Sequence, residues 1–485
     1  MMDAYSFLPL GFLADLRALL RIPSVYDGAT SDAARPYGAA VADAFAYVLG
    51  MGRRDGFSVA EYDGHVVSIS LPGTGEGRID VISHVDVVEP GTGWSRNPFG
   101  AEIEGDILYG RGTQDMKAPF LVTYYTLKAI KEAGIHPKRE LRLVIGGDEE
   151  RTMDDMVRYV RKAGTPDFAF TPDSAFPVCL GEKGALMWRI QGSVQTSIEQ
   201  FEGGVQCNVI SPAARAVIRS SATETEYREA FSSLEIFRDG GVEGSVRSLP
   251  SDQISERTSE RTSCRIEVNV KGIAAHASRP EDGRSATTAL CAAIAHVEDD
   301  DFARLVASVF SDHYGAGANL SRDIPPMGRL TMNLGILRLK EGKVYGEIDC
   351  RYPYGVTSGE LTALLQSACP HLEISLDYDA PPTLADAASP FVTALADIYR
   401  KATGDEQSAP FISGGVTYAK VVPRCVAFGP LMPGGVSLAH QVDECIDLKD
   451  ISILLRIYGD AMVSLATMDS DDYSFSDEFQ GEKKI

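Results

Sequence analysis

The sequence has no Cys-x-x-Cys pair, no apolar run of bilayer length and no surplus of positive charge, and each absence removes a class of protein. Its eight cysteines, at 179, 207, 264, 291, 350, 369, 425 and 445, are scattered singly. They read as reduced, mostly buried small hydrophobes of a cytosolic protein, not as a disulfide framework. No stretch approaches the ~20 apolar residues that a membrane-spanning helix needs. Asp3 stands where a signal peptide would carry a positive charge, and Phe12, Leu13, Leu16, Leu19 and Leu20 form a helical stripe interrupted by Asp15 and Arg17. With 46 basic against 68 acidic residues the formal charge is −22, so phosphate backbones and anionic membranes are repelled. A cytoplasmic protein with neither nucleic acid nor membrane as partner is expected.

The chain's 485 residues exceed one core, and 44% hydrophobic with 24% charged content is ordinary for a globular protein. Up to about residue 187, strand and helix patterns alternate: strands at 66–71, 80–83, 141–145 and 168–170, helices at 119–133 and 157–163. That alternation predicts an α/β sheet with helices on its faces. From about 188 to 380 the pattern shifts toward β-type alternation, as in 265–270, with a long helix near 285–295. The α/β character returns after about 381, with a helix over 391–402 and a strand at 425–428. The expected organisation is a discontinuous domain, 1–187 with 381–468, interrupted by a second domain over 188–380. Residues 469–485 read as a solvated acidic tail, and the repeat Ser-Glu-Arg-Thr at 255–262 as an exposed loop.

Five segments place acidic or imidazole groups at or just after strand ends: His84 with Asp86, Asp115, Glu149 with Glu150, Asp173, and His440. Side chains two residues apart on a strand leave on one side, so Asp86 can orient the His84 imidazole, as metal-binding histidines are usually held. In open α/β sheets, loops at the carboxyl ends of strands converge on one crevice. Each residue alone has a plainer reading. His84 or His440 could be an ordinary histidine like those at 65, 136, 296, 313 and 371. Asp115 and Asp173 could cap turns, and Glu149-Glu150 could start a helix. Taken jointly, two imidazoles among several carboxylates suit zinc, or the harder manganese or cobalt, better than iron–sulfur or copper. Two divalent ions ~3.5–4 Å apart would neutralise the crowded carboxylates and create a bridging nucleophile.

The motifs in combination resemble the co-catalytic di-zinc metallopeptidase family of aminoacylase, carboxypeptidase G and desuccinylase, and within it the PepV-type bacterial dipeptidases (Xaa-His dipeptidase). They are His84-Val85-Asp86-Val87-Val88, Gly110-Arg111-Gly112 with Asp115-Met116-Lys117, Gly147-Asp148-Glu149-Glu150, Thr171-Pro172-Asp173 with Gly181-Glu182-Lys183-Gly184, and Ala439-His440-Gln441-Val442-Asp443-Glu444. The resemblance runs to about residue 465. It implies a zinc-peptidase-like α/β catalytic domain, with a mixed sheet flanked by helices, and an inserted α+β lid of two ferredoxin-like layers. It implies two zinc ions, with His84 and Asp173 on one, Glu150 and His440 on the other, and Asp115 between them, joined to Met116 by a cis peptide. Asp86 would hold His84, and Glu149 would take a proton from the bridging water and pass it to the leaving amine.

From the middle domain the resemblance adds His276 as an oxyanion stabiliser, Arg351 as the partner of the substrate's terminal carboxylate, and Asn208 as a further polar contact. The loop at Gly414 and Gly415 would offer backbone N–H groups to the same carboxylate. Without the resemblance, His276 reads as a helix-start histidine in a Gly/Ala/Ser-rich turn. Three positions depart from the family pattern: Val416 before Thr417, Ala118 after Lys117, and Gly147 where threonine is common. The long lid resembles that of the dipeptidase branch, and that resemblance implies a monomer in which His276 serves its own chain. The expected activity is dipeptide hydrolysis. The alternatives are an amidohydrolase acting on N-acyl amino acids and a non-catalytic metal or peptide binder.

Overall fold

Period-two burial along the strand Arg78–His84 decides how the first unit is layered. Ile79 and Val81 enter the larger apolar core, Ile82 enters a smaller one, and Asp80 accepts a hydrogen bond from Tyr159 of that smaller core. The computed structural model describes residues 7–238, 240–249 and 264–468. The expected exposed repeat at 255–262 and the acidic tail at 469–485 lie outside those residues. The chain divides into two compact units, Met1–Glu182 with Thr383–Ile485, and Lys183–Pro382.

In the first unit a mixed sheet runs in the order Ser58–Tyr62, Val66–Leu71, Glu140–Gly146, Arg78–His84, Phe168–Thr171, Cys425–Ala427, Cys179–Glu182 and Thr383–Leu384, with Phe411–Ser413 also paired to Cys179–Glu182. Its four central strands, Glu140–Gly146, Arg78–His84, Phe168–Thr171 and Cys425–Ala427, are mutually parallel. Their carboxyl ends therefore emerge along one edge. Helices Lys117–Glu132 and Asp450–Thr467 pack against each other and against Arg78–His84. The second of them buries Ile451, Leu454, Ile457, Tyr458, Ala461 and Leu465, the three-and-four spacing of one helical face. Helix Lys117–Glu132 starts two residues before the 119–133 expected, because Pro119 falls in its first turn, where a missing N–H costs nothing.

Asp15, which interrupts the apolar stripe of helix Phe12–Leu20, ties three helices together. It accepts both arms of Arg54 (2.9 and 2.8 Å), the Tyr47 hydroxyl (3.0 Å) and the Tyr125 hydroxyl (2.8 Å). Burial pushes its carboxyl up, but these hydrogen bonds outweigh burial and hold it below the usual range. A depressed folded pKa gives stability that is present above the unfolded pKa and lost as pH falls through the folded one. Asp15→Asn should cost about 1.5–3 kcal/mol at neutral pH. In chemical denaturation the gap from the wild type should narrow as pH drops from about 5 to about 3. A pH-independent gap would contradict this account of Asp15.

The second unit is one antiparallel sheet in the order Glu243–Leu249, Cys264–Lys271, Ala213–Ser220, Ile198–Gly203, Thr331–Lys340, Lys343–Tyr352, Gly184–Ser193 and Leu372–Ala380. Helices Glu224–Ser233 and Ala286–Val297 pack on the first three strands, and Ser358–Ala368 packs on the last. The two α/β layers are thus halves of one continuous sheet, joined where Gln200–Gly203 pairs with Leu337–Lys340. Among the described residues no helix is long and apolar enough to cross a membrane, and all eight cysteines are free thiols.

Candidate metal centre

His84 closes the strand Arg78–His84, Glu149 and Glu150 follow Glu140–Gly146, and Asp173 follows Phe168–Thr171, three adjacent parallel strands. Asp115 comes from the turn before helix Lys117–Glu132, through a cis Asp115–Met116 peptide, and His440 from the loop before Cys445–Asp447 at a left-handed φ of 64°. The structure brings all these side chains together. Asp115 stands in the middle: Oδ1 is 3.0 Å from His84 Nε2, and Oδ2 is 3.0 Å from His440 Nε2. Asp173 Oδ2 lies 3.6 Å from His84 Nε2, and Glu150 Oε2 lies 3.1 Å from His440 Nε2.

Asp86 touches both halves. Its backbone carbonyl is 2.9 Å and its carboxylate 3.3 Å from His84 Nδ1, while its Oδ2 accepts the Glu150 N–H at 3.1 Å. With Nδ1 donating to Asp86, His84 turns the lone pair of Nε2 toward Asp115 and Asp173. His84 Nε2, Asp115 Oδ1 and Glu149 Oε1 are buried and have no hydrogen-bond partner. Two acceptors facing one another at 3.0 Å repel unless a cation lies near both, so the donor set fits divalent ions. Among the described residues two groupings have ligand atoms close enough to share an ion: His84 with Asp115 and Glu150, and His84 with Glu149 and Asp173.

The electrostatics agree. Burial, and then the neighbouring carboxylates, push Glu149 well above the ordinary glutamate range, the nearby His84 only partly offsetting them, and burial with Asp115 pushes Glu150 up to about 7. Burial also raises Asp115, but the His440 and His84 imidazoles beside it outweigh that and hold it far below the usual range. Such crowding is relieved by positive charge in the cluster.

Residues that the sequence did not single out hold these groups in place. Asp155 Oδ2 accepts the N–H groups of Gly147 (2.8 Å) and Asp148 (3.1 Å) and the Tyr418 hydroxyl (2.5 Å), which anchors the turn into Glu149. The Tyr418 ring meets His84 edge-on with centroids 6.2 Å apart. Gly147, the departure from the commoner threonine, has no room for a side chain: a Cβ there would lie 2.7 Å from Val41 and 2.8 Å from Phe45. Glu444 is the other support. It belongs to the His440 motif, but nothing local in the sequence signals what it binds.

The second unit gathers its own candidates. Val209 bridges to His276, and the carbonyl of Asn208 accepts the Ala277 N–H at 2.9 Å, so Asn208 and His276 sit on touching turns. Asn333 donates to the carbonyls of Cys207 and Val209, and pairs in register with Asp349. Asp349 takes Nε and Nη2 of Arg351 at 2.9 and 2.7 Å. His276 is exposed, with Nδ1 2.7 Å from Ser278 Oγ. In the first unit Gly414 and Gly415 follow Phe411–Ser413, and the Gly415 N–H donates to Ser413 Oγ at 2.8 Å.

Comparison with known proteins assigns the fold. The chain is 32% identical over 468 residues to "Putative dipeptidase YtjP" of Bacillus subtilis (strain 168), an alignment spanning 94% of this chain and 97% of the relative. It is 28% identical over 466 residues to the Beta-Ala-Xaa dipeptidase of Lactobacillus delbrueckii subsp. lactis, covering 93% and 95%. Among solved structures, an M20 family metallo-carboxypeptidase, Sso-CP2 from Sulfolobus solfataricus, superposes with a TM-score of 0.55 at 16% identity, covering 95% of this chain and 99% of that one. Residues 81–464 match the Peptidase family M20/M25/M40, and the chain belongs to that family.

Proposed function

We propose that this protein is a metal-dependent dipeptidase that uses two divalent ions, zinc first, with manganese and cobalt as alternatives. One observation carries the reading: the two oxygens of Asp115 each lie 3.0 Å from a different imidazole, so one carboxylate serves two positions. In that reading His84 and Asp173 serve one ion and Glu150 and His440 the other, with Asp86 orienting His84. When bound, the ions lower the pKa of water and polarise the scissile carbonyl. Glu149 accepts a proton from the attacking water and returns it to the leaving amine. His276 donates to the developing oxyanion, Arg351 with the Gly414-Gly415 turn binds the substrate's terminal carboxylate, and Asn208 adds a polar contact. A cavity of about 380 Å³ opens beside Asp115 and Asp173, walled by Ala175, Leu431, Met432 and Leu454. It has room for a substrate side chain, and a small peptide is the partner proposed for a cytoplasmic monomer.

The test is a panel of free dipeptides against N-acetyl and N-succinyl amino acids, with protein stripped by a chelator and reloaded with Zn²⁺, Mn²⁺ or Co²⁺. Dipeptides should be cleaved far faster, and only after reloading. Preference for the N-acyl compounds would establish an amidohydrolase instead, and inertness with every ion a binding protein. Arg351 has its own test. Arg351→Lys keeps the charge but loses the planar fork, so KM for a dipeptide should rise about tenfold, one carboxylate hydrogen bond's worth. Cleavage of the C-terminally amidated dipeptide should not change. Equal losses on both substrates would remove Arg351 from carboxylate recognition.

A further inference from the structure

We propose that Glu444 is a positioning residue that sets the Asp115–Glu150–His440 ion position by clasping the Asp115 turn to the His440 loop. The inference rests on the two-ion reading above. Glu444 is fully buried and stands four residues after His440. Its Oε1 accepts the N–H groups of Gln114 (2.7 Å), Asp115 (3.1 Å) and Gly112 (3.1 Å), and its Oε2 accepts Arg111 Nη1 at 2.7 Å. Arg111 is also buried, so this is a closed ion pair with the Asp115 turn wrapped around it. The same segment accepts Gly110 N–H at its own carbonyl, and Cys445 pairs with Tyr109. Gln114 makes a second tie: its amide donates to the Cys445 carbonyl at 3.0 Å, and its oxygen accepts the Leu438 N–H at 2.7 Å. The His440 loop is thereby fastened on both sides of the imidazole.

The chemistry explains why a carboxylate occupies this place. Three N–H groups and a guanidinium converge, and an ionised carboxylate offers two oxygens with about four lone pairs and the counter-charge. A glutamine would turn an NH₂ toward these donors and leave Arg111 buried without its counter-charge. Glu444 belongs to neither grouping of side chains able to share an ion. The asymmetry between the positions follows from what anchors their ligands. Asp115 serves both positions, so the difference rests on the other ligands. His84 ends a sheet strand and Asp173 follows the next one, whereas the His440 loop is held by the clasp through Leu438, Glu444 and Cys445.

The experiment measures zinc stoichiometry and affinity in metal-buffered dialysis, and the visible spectrum of the cobalt-loaded protein, for wild type, Glu444→Asp and Gln114→Ala. The wild type should bind two equivalents. In both variants the equivalent held by Glu150 and His440 should weaken by about 10–100-fold, the usual effect of losing a partner that orients a ligand, and the one held by His84 and Asp173 by clearly less. Excess zinc should then restore kcat with KM for the dipeptide unchanged. If both equivalents weaken alike, the clasp does not set the His440 position and the proposal fails; if neither weakens, Glu444 has no positioning role. If Glu444→Asp does not fold, Gln114→Ala decides the matter, since it buries no charge. Fewer than two equivalents in the wild type would overturn the two-ion reading itself.

Discussion

Glu149→Ala should lower kcat for dipeptide hydrolysis by about 10²–10⁴-fold, the usual contribution of a general acid–base, while both ions stay bound. Glu149 is buried, its Oε1 has no hydrogen-bond partner, and it neighbours His84, Asp173, Glu150 and Asp115. A carboxyl that burial and its neighbours push upward holds a proton readily, and ions bound beside it make giving that proton up easier again. Such a group can take and return a proton within one turnover. Its adjacent twin cannot do the same, because the Glu150 carboxylate faces His440 and its N–H is fixed by Asp86. The outcome is open to contradiction, since Glu149 also lies close enough to His84 and Asp173 to share an ion with them. If the alanine variant lost one zinc equivalent, Glu149 would be a ligand and the proton carrier would have to be sought elsewhere.

Asp115→Ala should be the more damaging substitution for metal binding. Each of its oxygens serves a different imidazole, so one change removes a ligand from both positions. The loss in affinity should exceed the ~10–100-fold typical of outer partners, with activity falling alongside it. Asp115→Asn separates charge from shape: it keeps the side chain's outline but removes the negative charge that two cations would share. Zinc titration of the two variants checks this. Near-normal stoichiometry in Asp115→Ala would mean that the two positions are independent and that Asp115 is not the bridge.

What the sequence revealed about this site, and what it hid, divides by the range of the interactions. The parity of His84 and Asp86 is local, and so is the ending of apolar strands just before Glu149 and Asp173; those positions were readable from residue order alone. The clasp at Glu444 joins groups more than 300 residues apart in the chain, and the Asp155–Tyr418 anchor spans 263. No periodicity reports such pairs. The engagement of Arg351 by Asp349 is different, because residues two apart on a strand share a face, so that pairing was open to inference. Likewise the gap at Gly147 becomes intelligible only once Val41 and Phe45 are seen to fill the space beside it. The α/β sheet and its interruption followed from alternating patterns and the two-layered lid from the family resemblance, whereas the support beneath the ligands depended on side chains meeting across long stretches of chain.

In the proposed two-ion centre, five side chains from separate segments hold two ions, with Glu149 beside them and bound to neither. Anomalous diffraction at the zinc edge, from crystals of the zinc-loaded protein, addresses it directly. Two peaks are predicted, one against His84 and Asp173 and one against Glu150 and His440, with Asp115 reaching both. A single peak, or an ion coordinated by Glu149 with Glu150 and His440 left without one, would contradict it.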